Sequence, residues 1–109
     1  MFQEYLKNYF WDYFIYKVDH TRLPDVYLCN SKGVAWIELK VIKSNSRDGL
    51  IRPEWRPGQL AWIQDQKRIG GIDNVSLMLY HEPSKECRLY SKCLEYYYPN
   101  ELYKLIRKN

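Results

Sequence analysis

The chain has 109 residues, 46% hydrophobic and 28% charged: enough for one buried core, too few for two, and the wrong composition for a disordered tail. Seventeen basic against thirteen acidic side chains leave a net charge of only +4, so an anionic partner must be met by a local patch rather than by overall charge. Three irregularly placed cysteines (Cys29, Cys87, Cys93), two histidines and no CxxC pair argue against a disulfide framework and a Cys/His zinc site, and suit a reducing, cytoplasmic compartment.

The predicted elements run as follows. Residues 2–17 lack Gly and Pro, and Phe2, Leu6, Tyr9, Phe10, Tyr13 and Phe14 recur at helical spacing, predicting a first helix. Glu4, Lys7, Asn8 and Asp12 interrupt it too often for a signal peptide or a membrane span. Pro24 opens an extended segment, Asp25–Cys29. The turn Asn30-Ser31-Lys32-Gly33 leads into Val34–Ile42, a β-branched and aromatic strand, so the two form a hairpin. Residues 43–57, with two Pro and one Gly, form a long loop. Gly58–Ile69 reads as a helix stopped by Gly70-Gly71, Val75–Tyr80 as a central strand, and Arg88–Tyr90 as a short fourth strand. One or two short helices are expected at the end, the last capped by Asn100 and spanning 101–107. The result is an α/β (α+β) chain with a mixed sheet flanked by helices. It is one domain over 1–109, with its core at about 1–80 and a helical extension over about 91–109.

The chemistry concentrates in Asp25 and in Glu38-Leu39-Lys40. On a strand, Glu38 and Lys40 project from one face roughly 7 Å apart, and the hairpin brings Asp25 beside Glu38. Two converging carboxylates repel unless a cation lies between them, and hard oxygen ligands select Mg²⁺ or Mn²⁺. A neighbouring lysine can then orient water or stabilise charge on a phosphate. An acid two positions before a lysine is cheap, with roughly one expected by chance in such a chain. Asp65-Gln66-Lys67 is such a case, but helical geometry makes its charges diverge. Glu38 and Lys40 stand instead in an apolar strand. The plainer reading, an ordinary salt-bridged sheet edge, accounts for the apolar opposite face but not for Trp36 and Ile42 flanking the pair.

Pro24-Asp25, a twelve-residue gap and then Glu38-Leu39-Lys40 on a hairpin after a first helix resemble the PD-(D/E)xK nuclease motif. Pro57-Gly58-Gln59-Leu60-Ala61-Trp62 and Gly70-Gly71 are similar to its compact VRR-NUC branch, which includes small viral proteins related to Holliday-junction resolvases. The resemblance spans roughly residues 1–80. It implies a restriction-endonuclease-like αβββαβ core, one or two divalent cations, DNA cleavage and frequent dimers. It further implies that Asp25, Glu38 and the Leu39 carbonyl hold Mg²⁺ or Mn²⁺ and that Lys40 acts at the scissile phosphate. Glu4 and Gln59 match the family's acidic residue on the first helix and its glutamine on the helix after the catalytic strand. The expected activity is divalent-metal-dependent DNA endonuclease action, structure-selective on branched DNA, in the host cytoplasm if the protein is viral. The alternative is a non-catalytic nucleic-acid-binding or assembly protein of the same fold.

Lys43, Arg47, Arg52 and Arg56 with Trp55 interleaved give the long loop a composition suited to phosphate contact and base stacking, or to simple solvation. Tyr5, Tyr9, Trp11, Tyr13 and Tyr16 are more aromatic surface than so small a core can bury, which points to a homodimer, with Tyr96-Tyr97-Tyr98 as a further contributor.

Overall fold

A computed structural model describes residues 1–20, 23–68 and 75–108, without the side chains of residues 67 and 68. Its elements are α1 (Phe2–Tyr9), β1 (Phe14–Lys17), β2 (Val26–Asn30), β3 (Gly33–Ile42), α2 (Gln59–Arg68), β4 (Val75–His81), a 3₁₀ turn (Glu82–Ser84), β5 (Glu86–Tyr90) and β6 (Lys104–Ile106). The six strands lie in one sheet in chain order. Every neighbouring pair is antiparallel except β3 and β4, whose parallel pairing requires the crossover that contains α2. This is a mixed-sheet α+β fold, as the sequence predicts.

Each sheet face has its own core. On one, Tyr5 and Leu6 of α1 pack with Val26, Leu28, Ile37, Met78, Cys87 and Ile106. On the other, Ile63 of α2 packs with Ile42, Leu77, Leu79, Tyr90, Cys93 and Tyr97. The strict alternation along β3 therefore sends Ile37 to the α1 face and Glu38 to the α2 face.

Two expectations are overturned. The helix predicted over 2–17 stops at Tyr9: a turn closed by Tyr13 N–H to the Phe10 carbonyl (3.0 Å) leads into β1, where Phe14 pairs Cys29 and Lys17 pairs Val26. The aromatic and β-branched run Tyr13-Phe14-Ile15-Tyr16 also suits a strand, and an exposed edge on β2 offers ladder bonds that a longer, mostly solvated helix cannot match. The helical extension over 91–109 with its final helix over 101–107 is likewise absent among the described residues. Pro99-Asn100 makes a turn, with Glu101 N–H bonded to the Tyr98 carbonyl (3.0 Å), and the chain ends in β6, pairing Leu105 with Arg88. Burying Ile106 against Cys87 and Tyr5 completes the α1-side core and covers the β5 edge. The Gly70-Gly71 stop lies outside the described residues.

The three thiols are free; burial pushes Cys87 up to about 12, so it is an inert core group. Among the described residues no helix is long and apolar enough to cross a membrane.

Candidate active site

β3 is twice the length of β2, and this mismatch builds the site. The β2–β3 ladder stops at Val26 opposite Ile37, because Pro24 has no N–H to continue it. One further step of the same register sets Asp25 opposite Glu38. The Leu39 N–H lies beyond the last pair of that ladder and donates to Asp25 Oδ2 at 2.9 Å, which locks the aspartate in place.

Gln59 holds the other side. Gly58, at φ +78°, takes the left-handed turn that starts α2 and brings Gln59 into its first turn. Gln59 Nε2 donates to Glu38 Oε2 at 2.6 Å, while its Oε1 accepts from Lys40 Nζ and from the Arg56 N–H, both at 3.1 Å. Lys40 Nζ also lies 3.5 Å from Glu38 Oε2 and 5.1 Å from the centre of the Trp55 ring. Glu38 is 1% exposed, and among the described residues its Oε1 has no hydrogen-bond partner.

Burial, then the charge of Asp25, raises the Glu38 carboxyl to about 7; Lys40 and the Gln59 amide pull the other way without prevailing. In metal-free protein the charged form is therefore strained. Because the folded value lies above the ordinary one, stability is lost as pH rises from about 4.5 to about 7. Glu38→Gln in EDTA should accordingly stabilise the fold by about 1–2 kcal/mol at pH 8, a figure discounted for water entering beside Lys40. The difference should vanish below pH 4.5, as measured by thermal melts at both ends.

The unpaired Glu38 oxygen, the adjacent Asp25 carboxylate and a cation-bearing lysine suit a hard divalent ion better than a closed salt bridge. Among the described residues no cluster of three or more His, Cys, Asp or Glu side chains forms a fuller cage.

No protein-family model matches the chain, and no curated protein does. Among solved structures, the Holliday junction resolvase Hjc of the archaeal hyperthermophile Archaeoglobus fulgidus is similar, with TM-score 0.52 and 17% identity over 87% of this chain and 77% of that one. The fold is resolvase-like. At this identity the likeness speaks to architecture alone.

Within this resolvase-like fold, Asp25, Glu38, Lys40 and Gln59 are brought together; Glu4 is not. Its carboxylate is 70% exposed and 4.0 Å from Lys108 Nζ, because Tyr5 and Leu6 take the buried face of α1 and turn Glu4 away. Of the loop residues, Lys43, Arg47 and Arg56 are exposed. Arg52 is exposed but engaged, 2.7 Å from Asp48 and stacked over Tyr96 at 5.1 Å. Trp55 is half-buried, its indole N–H bonded to the Leu94 carbonyl at 3.0 Å and its ring under Lys40, so it shapes the site rather than standing free for a base. The sequence reading did not find these duties of Trp55, nor the Arg56 amide that orients Gln59. The proximity of Trp55 to Arg56 and Pro57, just ahead of α2, was the available signal.

Proposed function

We propose that this chain is a divalent-metal-dependent DNA endonuclease, structure-selective and directed at branched DNA such as a four-way junction. The observation that carries the reading is the buried, unpartnered Glu38 Oε1 beside Asp25, with the Lys40 ammonium in reach. Asp25 and Glu38, with the Leu39 carbonyl, would hold Mg²⁺ or Mn²⁺; when bound, the ion would supply positive charge against the phosphate undergoing hydrolysis. Lys40, steered by Gln59 and Trp55, presents its ammonium to a phosphate oxygen or to the attacking water. Gln59 keeps the Glu38 carboxylate in one orientation by donating to Oε2, so that Oε1 would be the oxygen available to hold an ion. Lys43, Arg47 and Arg56 grip the backbone, with Arg52 contributing less because Asp48 already occupies it.

The test is cleavage of a synthetic four-way junction and of a linear duplex in Mg²⁺, Mn²⁺ or EDTA. Cutting of the junction in metal and none in EDTA is expected. Mn²⁺ alone should raise the melting temperature, by the equivalent of about 2.7 kcal/mol at a hundred times its dissociation constant; Asp25→Asn should abolish that rise. The outward placement of Glu4 favours a second reading, a DNA-binding protein that keeps the fold without cutting. Unchanged junction binding with no cleavage in either metal would establish it.

The same reading includes a homodimer. Tyr5 is buried within the chain, but Trp11 (80% exposed), Phe14 and Tyr16 stand open around the β1 edge, a surface that a second copy would cover. A light-scattering mass equal to one 13.3 kDa chain would remove the dimer and leave the chemistry untouched.

A further inference from the structure

β1 ends at Lys17 and β2 begins at Val26, so the second half of β3 has no strand on that side. The first turns of α1 flank the gap without filling it, and a cleft of about 520 Å³ remains, within the range of small-molecule sites. Phe2 and Leu6 supply an apolar wall, Lys7 and Lys17 supply charge from two different elements, and Asp25 and Leu39 belong to the same lining. The cleft lies on the α1 side of the sheet and adjoins the candidate active site at its edge, through Asp25 and Leu39.

Its charge is as informative as its position. Lys40, Arg52, Arg88 and Lys108 each have a carboxylate partner. Lys7 and Lys17 are exposed and, among the described residues, have none. Two exposed ammonium groups from different elements, lining one hollow, offer an anion two cationic partners. The carboxylate in that hollow is Asp25, already held by the Leu39 N–H. An occupant with a phosphate for the lysines and a flat, largely apolar part for Phe2 and Leu6 satisfies both walls. A nucleotide of a DNA strand has both.

We infer that this cleft seats the nucleotide next to the cleaved phosphodiester, with Lys7 and Lys17 holding its phosphate. The inference rests on the proposed nuclease reading. It gives the first helix a substrate-binding role through Lys7 in place of the metal-site role expected of Glu4.

The full-length chain with Lys7→Ala and Lys17→Ala together tests it, against Lys32→Ala in the turn at the opposite end of the β2–β3 hairpin. Junction affinity is read by fluorescence anisotropy in EDTA across a salt series. The double variant should bind about tenfold more weakly at physiological salt and lose about 1–2 from the log–log salt slope, whereas Lys32→Ala should change neither by as much. In Mn²⁺ the double variant should raise KM with kcat nearly unchanged. Once the cut is mapped, a junction with an uncharged methylphosphonate at the adjoining phosphate should weaken wild-type binding and leave the double variant unaffected. Equal losses in the double variant and Lys32→Ala, or additive losses with the methylphosphonate, overturn the cleft assignment. Wild-type protein that fails to cut in either metal overturns the nuclease reading instead, and the salt slopes still decide whether the cleft binds DNA.

Discussion

Lys40→Ala should lower metal-dependent junction cleavage by about 10²–10³-fold, the loss typical of removing one charge-stabilising donor from a site. Lys40 is only 14% exposed, with Gln59 Oε1, Glu38 Oε2 and the Trp55 ring all in contact range. So confined an ammonium has little freedom to serve as a general phosphate grip, so the loss should fall on kcat and leave junction affinity within about threefold. A second readout follows from electrostatics. The ammonium lowers the Glu38 carboxyl, so its removal pushes that group further above about 7. Metal then competes with a more tightly held proton, and the residual activity should require higher pH or more Mn²⁺ than wild type. Lys40→Arg should not rescue it, because the planar guanidinium fork cannot occupy the point contact between Gln59 and Trp55. Equal cleavage by Lys40→Ala and wild type would remove this lysine from the chemistry.

Tyr97→Ala should have the largest effect on stability, about 3–5 kcal/mol, which at this chain length is a fall in melting temperature of more than about 10 °C. Tyr97 is 1% exposed and lies 4.3 Å, centroid to centroid, from Tyr90. Its hydroxyl donates to the Lys92 carbonyl at 2.6 Å and accepts from the Leu94 N–H at 2.8 Å. Its backbone exchanges two hydrogen bonds with Ile51, at 2.8 and 3.0 Å, tying the basic loop to the chain's last third. Tyr97→Phe keeps the ring but removes two part-buried hydrogen bonds to backbone groups that solvent can partly reach, so about 1 kcal/mol is expected, which separates ring packing from hydroxyl bonding in chemical denaturation. The sequence placed this tyrosine with Tyr96 and Tyr98 as surplus surface. A run of three identical residues does not reveal which one faces inward, and here the Ile51 pairing decides it.

The hairpin was legible because its signals are local: Pro24 bars a longer β2, Gly33 closes the turn, and Val34–Ile42 admits only an extended reading. The meeting of Asp25 with Glu38 follows from that register alone. Gln59 was legible more indirectly, through Pro57-Gly58 ahead of an apolar helical pattern. Glu4 was misplaced for a general reason: a helix dictates which residues share a face but not which face meets the sheet. Once Tyr5 and Leu6 enter the core, Glu4 must point to solvent and Lys108. The β1 and β6 errors have a related origin. Both segments carry patterns compatible with helix or strand, and the choice was made by the unpaired edges of β2 and β5.

By itself, then, the order of residues determined the β2–β3 hairpin, the helix and the central strand that follow it, and the placement of two acids near a lysine, because each rests on turn chemistry, hydrophobic periodicity or two-residue alternation within one short stretch. Only the tertiary structure decided which face of α1 is buried, that the segments 14–17 and 104–106 form the two edge strands of the sheet, that Trp55 and Gln59 confine Lys40, and that a cleft with two lysines opens beside Asp25. Those features arise where segments distant in sequence compete for the same core volume and the same unpaired backbone groups, a competition that no local pattern records.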